Sequence, residues 1–156
     1  MAERDKNALV AGFRTVLRAQ LDTLGRSSGA ARDGTRVDGD HRPANRGERG
    51  AVSAQGYLAH GLAVRMAEIQ RVLELLDEVN LSPTDRVRTG ALVALEDEAG
   101  VETVVFIVPG ATGDRVDGVT LISPSSPLAR ALVGKEEGDE VRVGENGLNQ
   151  AIVAVS

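Results

Sequence analysis

The sequence has 156 residues, 42% hydrophobic and 26% charged, room for one ordinary domain or two small ones with a globular balance. It contains no cysteine, which excludes disulfides, zinc–thiolate sites and thiol nucleophiles. Its aromatic residues are Phe13, Tyr57 and Phe106, too few for a base-stacking platform or an aromatic-lined pocket.

No run approaches the ~18 apolar residues of a membrane span, and the opening MAERDKNALVAG has acids where a signal peptide would carry a basic and then an apolar region. The expectation is a cytoplasmic protein with no membrane partner. Charge is unevenly placed. Residues 1–85 hold 12 basic and 12 acidic side chains, and 86–156 hold 6 and 11, so the net charge of -5 belongs to the second half. That half does not grip a phosphate backbone unaided.

In chain order, Val10, Phe13, Leu17, Leu21 and Leu24 recur at steps of three and four and predict a first helix. Leu58, Leu62, Met66, Ile69, Leu73 and Leu76 repeat at the same steps and predict a second, taken as about 51–79. Neither helix buries its stripe alone, so the two are expected to pair as an antiparallel coiled-coil hairpin over 1–80. An amphipathic pair packed on the sheet of the second half is the alternative. Between them, 27–50 carries five glycines, one proline and almost no apolar side chain, and is read as the hairpin tip. At 1.5 Å per residue the second helix is roughly 43 Å long, which sets the tip far from its root.

Pro83 ends the helical region, and 81–85 reads as a linker. Beyond it, short Val/Leu/Ile runs at 90–97, 101–110, 118–123, 139–144 and 149–156 predict five strands. One helix over 126–133 interrupts them, with Ser126 as its cap, Pro127 in its first turn and Gly134 at its stop. The fold class is α+β: a helical hairpin followed by an antiparallel sheet with one short helix. Ser123, Ser125 and Ser126 have no His/Asp pattern around them, so no hydrolase is indicated.

The segment ISPSSPLARALVGKEEGDEVRV (122–143) resembles the C-terminal domain of the Gre family of bacterial transcript cleavage and elongation factors, GreA and GreB. GALVALED (90–97) is similar to another stretch of that domain, and GYLAHGLAVRMAEI (56–69) looks like the ascending hairpin helix of short, divergent members. The resemblance implies an FKBP-like second domain over 86–156, docked at the rim of the RNA polymerase secondary channel; with Phe106 as its one aromatic residue, that domain is not expected to be a prolyl isomerase. In that picture the hairpin enters the channel. Tip carboxylates then help hold a second magnesium ion at the polymerase active site, where the polymerase cuts backtracked RNA. The chain itself is no enzyme and holds no cofactor tightly; magnesium is shared with the polymerase, the nascent RNA 3′ end is approached indirectly, and the protein is a monomer.

The tip departs from the family pattern. GDHRPAN (39–45) keeps Gly39 and Asp40, but Ala44 stands where a glutamate is expected. Asp38, Asp40 and Glu48 are the metal-assisting candidates, with Arg42, Arg46 and Arg49 as basic groups beside them. A hard, weakly held cation wants several carboxylate oxygens, so the missing one weakens recruitment. Three readings follow: a cleavage-stimulating elongation factor, a non-cleaving occupant of the channel that regulates polymerase, and a helical scaffold that dimerises through its seam. Ser126, Pro127 and Leu128 form the corner that the resemblance places against polymerase; simple helix initiation explains the same residues and is compatible with it.

Overall fold

The computed structural model describes residues 4–35 and 46–156, with the backbone alone for 30–35, 46–53 and 55. Two helices come first, α1 (Lys6–Thr35) and α2 (Arg46–Glu78). They are followed by β1 (Leu92–Asp97), β2 (Glu102–Ile107), β3 (Thr112–Val116), β4 (Val119–Ile122), α3 (Pro127–Leu132), β5 (Glu140–Arg142) and β6 (Asn149–Val155). The chain divides into two compact units, one of residues 15–73 and one combining 1–14 with 74–156.

In the first of these, Leu17 and Ile69 are buried, while Leu21, Leu24, Leu62, Met66 and Leu73 are half-buried. The predicted stripes therefore meet, except that Leu58 is 52% exposed. A Cβ on Gly25 would lie 3.9 Å from Met66 Cε, which fixes the pairing. Side by side in parallel, these positions would leave about 45 Å between the end of α1 and the start of α2 at 1.5 Å per residue. A ten-residue connection reaches at most about 36 Å. The helices therefore run antiparallel.

Both helices reach further into 27–50 than expected: α1 continues to Thr35 and α2 begins at Arg46. A glycine in a helix costs about 1 kcal/mol, but extending an existing helix needs no new nucleus. Residues 27–35 also contain no proline to break the ladder; the one proline of the segment is Pro43.

The other unit is built on a six-stranded sheet in the order β3-β4-β2-β1-β6-β5. All neighbouring pairs are antiparallel except β2 with β4, which is parallel. The sixth strand, β3, was absent from the sequence reading because TGDRV has a single apolar residue and no alternation. Its signal was the turn that follows it. Asp117 (φ 49) and Gly118 (φ 77) form the two left-handed positions of a tight hairpin turn, the Asp-Gly pair that joins β3 to β4.

Both faces of the sheet centre are buried. Val93, Leu95, Val105, Ile107, Val141 and Ile152 share one core with Ala129 and Leu132 of α3. The register pairs Phe106 with Leu121 and Val116 with Val119, so these residues face the other way. Phe106, Leu121 and Val119 are fully buried there. A Cβ on Gly12 would fall 2.5 Å from Val116 Cγ1, so the first turns of α1 lie on this second face, where Leu9, Val10 and Phe13 are buried. Asp5 caps α1 by accepting from Asn7 N at 2.9 Å, and Arg14 pairs with Asp77.

Candidate functional site

The corner that leads into α3 is described in full. Ser126 takes an extended backbone (φ -64, ψ 150), and its hydroxyl accepts from Ala129 N at 3.1 Å, satisfying one of the free amides of the first turn. Its carbonyl accepts from Arg130 N at 3.0 Å, and Ser126 N donates to Ser123 O at 3.0 Å. Pro127 occupies the first helical position, where a missing N–H costs nothing. Gly134 (φ 89) follows the helix end in the left-handed region, as its place after the apolar run predicts.

These contacts separate the three residues assigned to this corner. Pro127 is exposed, Ser126 is half-buried as the cap, and Leu128 packs against the core shared by α3 and the sheet. The exposed side chains here are instead Pro127 and Arg130 of α3, three residues apart, and Val133, which caps the helix C-terminus and is 49% exposed. Arg130 and Val133 were missed in the sequence, although the same spacing that buries Ala129 and Leu132 would have turned them outward.

The tip is a different matter. Asp38, Asp40 and Arg42 lie outside the described residues, as do His41 and Ala44. Arg46, Glu48 and Arg49, expected on a loop, fall in the first turn of α2, where only the backbone is described. A glutamate there complements the positive end of the helix dipole. Among the described residues no group of three or more His, Asp or Glu side chains could hold a metal ion. No described helix is long and apolar enough to cross a membrane.

A second constellation, unforeseen in the sequence, lies at the linker. The Arg88 guanidinium donates to Asn80 O and Ser82 O, each at 2.9 Å, and to Thr89 O at 3.3 Å. Lys6, only 8% exposed, directs its ammonium to the same Ser82 O at 3.4 Å. Burial, and then the charge of Arg88, lower the Lys6 pKa from its usual value of 10.5. Nothing in the sequence pattern points to Arg88, because its partners are backbone carbonyls rather than side chains.

Comparison with known proteins places the α3 corner inside a recognised domain. Residues 82–156 match the family described as transcription elongation factor, GreA/GreB, C-terminal. The transcription elongation factor GreA of Halorhodospira halophila is 41% identical over 87 residues, covering 53% of this chain and 54% of that protein. GreA of Verminephrobacter eiseniae is 40% identical over 98 residues, covering 59% and 61%. The chain thus spans a little over half the length of these relatives. Among solved structures, the GreA factor homolog 1 of Thermus thermophilus aligns over 91% of this chain and 90% of its own, at 19% identity and a TM-score of 0.41. GreA/GreB from Nitrosomonas europaea aligns over 56% and 78%, at 23% identity and 0.39. Residues 82–156, a six-stranded sheet with one short capped helix, are thus the part of this chain that is similar to the C-terminal domain of the GreA/GreB family.

Proposed function

We propose that this protein is a Gre-like transcription elongation factor that binds RNA polymerase at the rim of its secondary channel and acts on the elongating enzyme. The observation that carries the proposal is the family match over 82–156, the whole of the sheet domain, together with relatives that are themselves transcription elongation factors. Pro127 and Arg130 on the exposed face of α3, with Val133 at its C-cap, supply an apolar–cationic–apolar surface suited to docking on a partner helix. The helical hairpin carries the tip into the channel.

Stimulation of transcript cleavage is the first form of this activity. Asp38, Asp40 and Glu48 are hard oxygen donors that fit magnesium, which supplies an activated water for attack on a phosphodiester when it is bound. The chain contributes ligands and the polymerase contributes the remainder. A second form, occupancy of the channel without cleavage, is favoured by one specific observation: Ala44 in the glutamate position of GDHRPAN, within a segment rich in arginine. Those arginines suit contacts with the phosphates of an extruded RNA 3′ end or an incoming nucleotide.

Backtracked complexes of a bacterial RNA polymerase, incubated with the purified protein and magnesium, separate the forms. Cleavage stimulation shortens the RNA, and Asp40→Ala removes that effect while leaving polymerase retention in a pull-down intact. Occupancy without cleavage leaves the RNA at full length and slows nucleotide addition. A protein that sediments as a dimer and is not retained by polymerase would be the helical scaffold instead, and both forms would be lost.

A further inference from the structure

Helix α2 carries a second apolar set besides the seam that packs against α1. Tyr57 is 80% exposed, Leu58 52% and Val64 47%. Gly61, between them, is exposed and has nothing within 4 Å of the place a Cβ would take. At about 100° per residue, Tyr57, Gly61 and Val64 share one flank of the helix, and Arg65 and Glu68 continue it. The same flank of the hairpin holds a groove of about 650 Å³ lined by Val16, Ala19, Gln20, Thr23, Leu24 and Arg65.

Charge is sparse on this flank. Among the described residues of 15–73 it carries Arg65 and Glu68, which pair with each other at 3.2 Å. On α1, Arg18, Asp22 and Arg26 recur at steps of four and are exposed on another side. An exposed apolar set beside a groove marks an interaction surface, and its neutrality selects the partner. A strongly charged wall finds no net counter-charge here, whereas a second copy brings a face as neutral as this one.

The flank is also complementary to itself. Gly25 lies beside Met66 in the antiparallel hairpin, so Ala19 is level with Val72 and Thr23 with Glu68, and Val16 is a turn beyond Ala19. A two-fold axis passing midway between Arg65 and Glu68 sets Arg65 of each copy opposite Glu68 of the other. The same axis brings Gly61 opposite Val72 and Ala19 of the other copy, Val64 beside its Thr23 and Leu24, and Leu58 over its Val16. One placement therefore puts exposed side chains on the groove, a glycine at the closest approach and opposite charges together.

We propose that the hairpin pairs with a second copy of this chain through this face, as a two-fold antiparallel dimer in which the Leu58–Val64 stretch of each copy fills the groove of the other. The seam is already used within the hairpin, where Leu62 and Met66 are half-buried and Ile69 is buried, so this is not the dimer that the seam would form. It replaces the monomer that the resemblance implies. It also stands or falls without polymerase, since the contact involves this chain alone.

Sedimentation equilibrium of the full chain at low salt, from about 1 to 200 µM, tests the proposal, and a monomer–dimer equilibrium is expected. Tyr57 is the one tyrosine of a chain without tryptophan, so its fluorescence is a local probe whose quenching by acrylamide falls as the dimer forms. Gly61→Gln fills the closest approach and raises the dissociation constant about tenfold or more. Its monomer keeps the melting temperature of wild type or exceeds it, because Gly61 meets nothing within the hairpin and glycine is a poor helix former. Arg65→Glu and Glu68→Arg each weaken the dimer about tenfold, and mixing the two variants restores it as a heterodimer in which opposite charges meet again. A chain that stays monomeric throughout the range, a dimer indifferent to Gly61→Gln, or charge reversals that mixing does not repair overturns the proposal.

Discussion

Gly90 offers a sharp test of how the linker is fitted to the sheet. Its φ is 89°, and a Cβ there would stand 2.2 Å from Asn80 O, 3.0 Å from Val79 Cγ1 and 3.2 Å from Asn80 C. Neither partner yields easily. Asn80 O is held by Arg88 at 2.9 Å, and Gly90 N donates to Ile107 O at 2.8 Å, tying the residue to β2. Gly90→Ala therefore incurs about 1–2 kcal/mol for the left-handed backbone and about 1–3 kcal/mol for overpacking. The reduced entropy of the unfolded chain returns only about 0.4–1 kcal/mol. A net loss of roughly 2–4 kcal/mol follows, against about 5–15 for a whole domain. Gly134→Ala is the matched control, since Gly134 has the same φ of 89° and nothing within 4 Å of its Cβ position. Urea unfolding of both variants should place the Gly90→Ala midpoint well below that of Gly134→Ala. Equal midpoints would show that the linker is not packed against Gly90, and the argument for a stapled linker would fail.

Gly12→Ala should destabilise despite a gain of about 1 kcal/mol in helix propensity, because its Cβ would meet Val116 Cγ1 at 2.5 Å. Val116→Ala in the same protein should restore stability in a double-mutant cycle, and additive losses would contradict the contact. Ser126→Ala removes the α3 cap and should lower stability by about 0.5–2 kcal/mol in urea. Ser126→Asp, which keeps the acceptor, should recover most of that loss. For Lys6, the folded pKa is lowered below 10.5, so between the folded and unfolded values the unfolded chain binds more protons. The penalty is fully present below the folded pKa, and stability rises with pH across that window. Urea midpoints measured from neutral pH to 11 should therefore rise relative to Lys6→Met, and parallel curves would refute the burial of the charge.

Periodicity made most of the architecture legible, because burial follows it directly. Phe13, Leu17, Ile69 and Leu76 were marked as core by their steps of three and four, and all are buried. The capped start of α3 was legible too, since Ser126 and Pro127 act through their own backbone and that of the next turn. What escaped had a common character. β3 has no apolar alternation to announce it, and the helical extensions into 27–35 and 46–50 run against glycine propensity. Arg88 works on carbonyls that no side-chain pattern encodes, and Lys6 looks like any surface lysine until tertiary contacts enclose it. Leu128 was assigned to the docking corner by the resemblance rather than by periodicity; its side chain packs against the core, and Arg130 and Val133 are the exposed residues beside Pro127.

The sheet ends on β3 at one side and on β5 at the other. Each edge is poorly suited to welcome a stranger. β3 displays Asp114 and Arg115 along a five-residue run with an irregular register, and β5 is three residues long with Glu140 and Arg142 exposed. A foreign strand arriving at either margin finds few unsatisfied amides in line and must strip water from charge to reach them. Such a domain keeps its β-structure to itself at the concentrations of a crowded solution and leaves recognition to side chains.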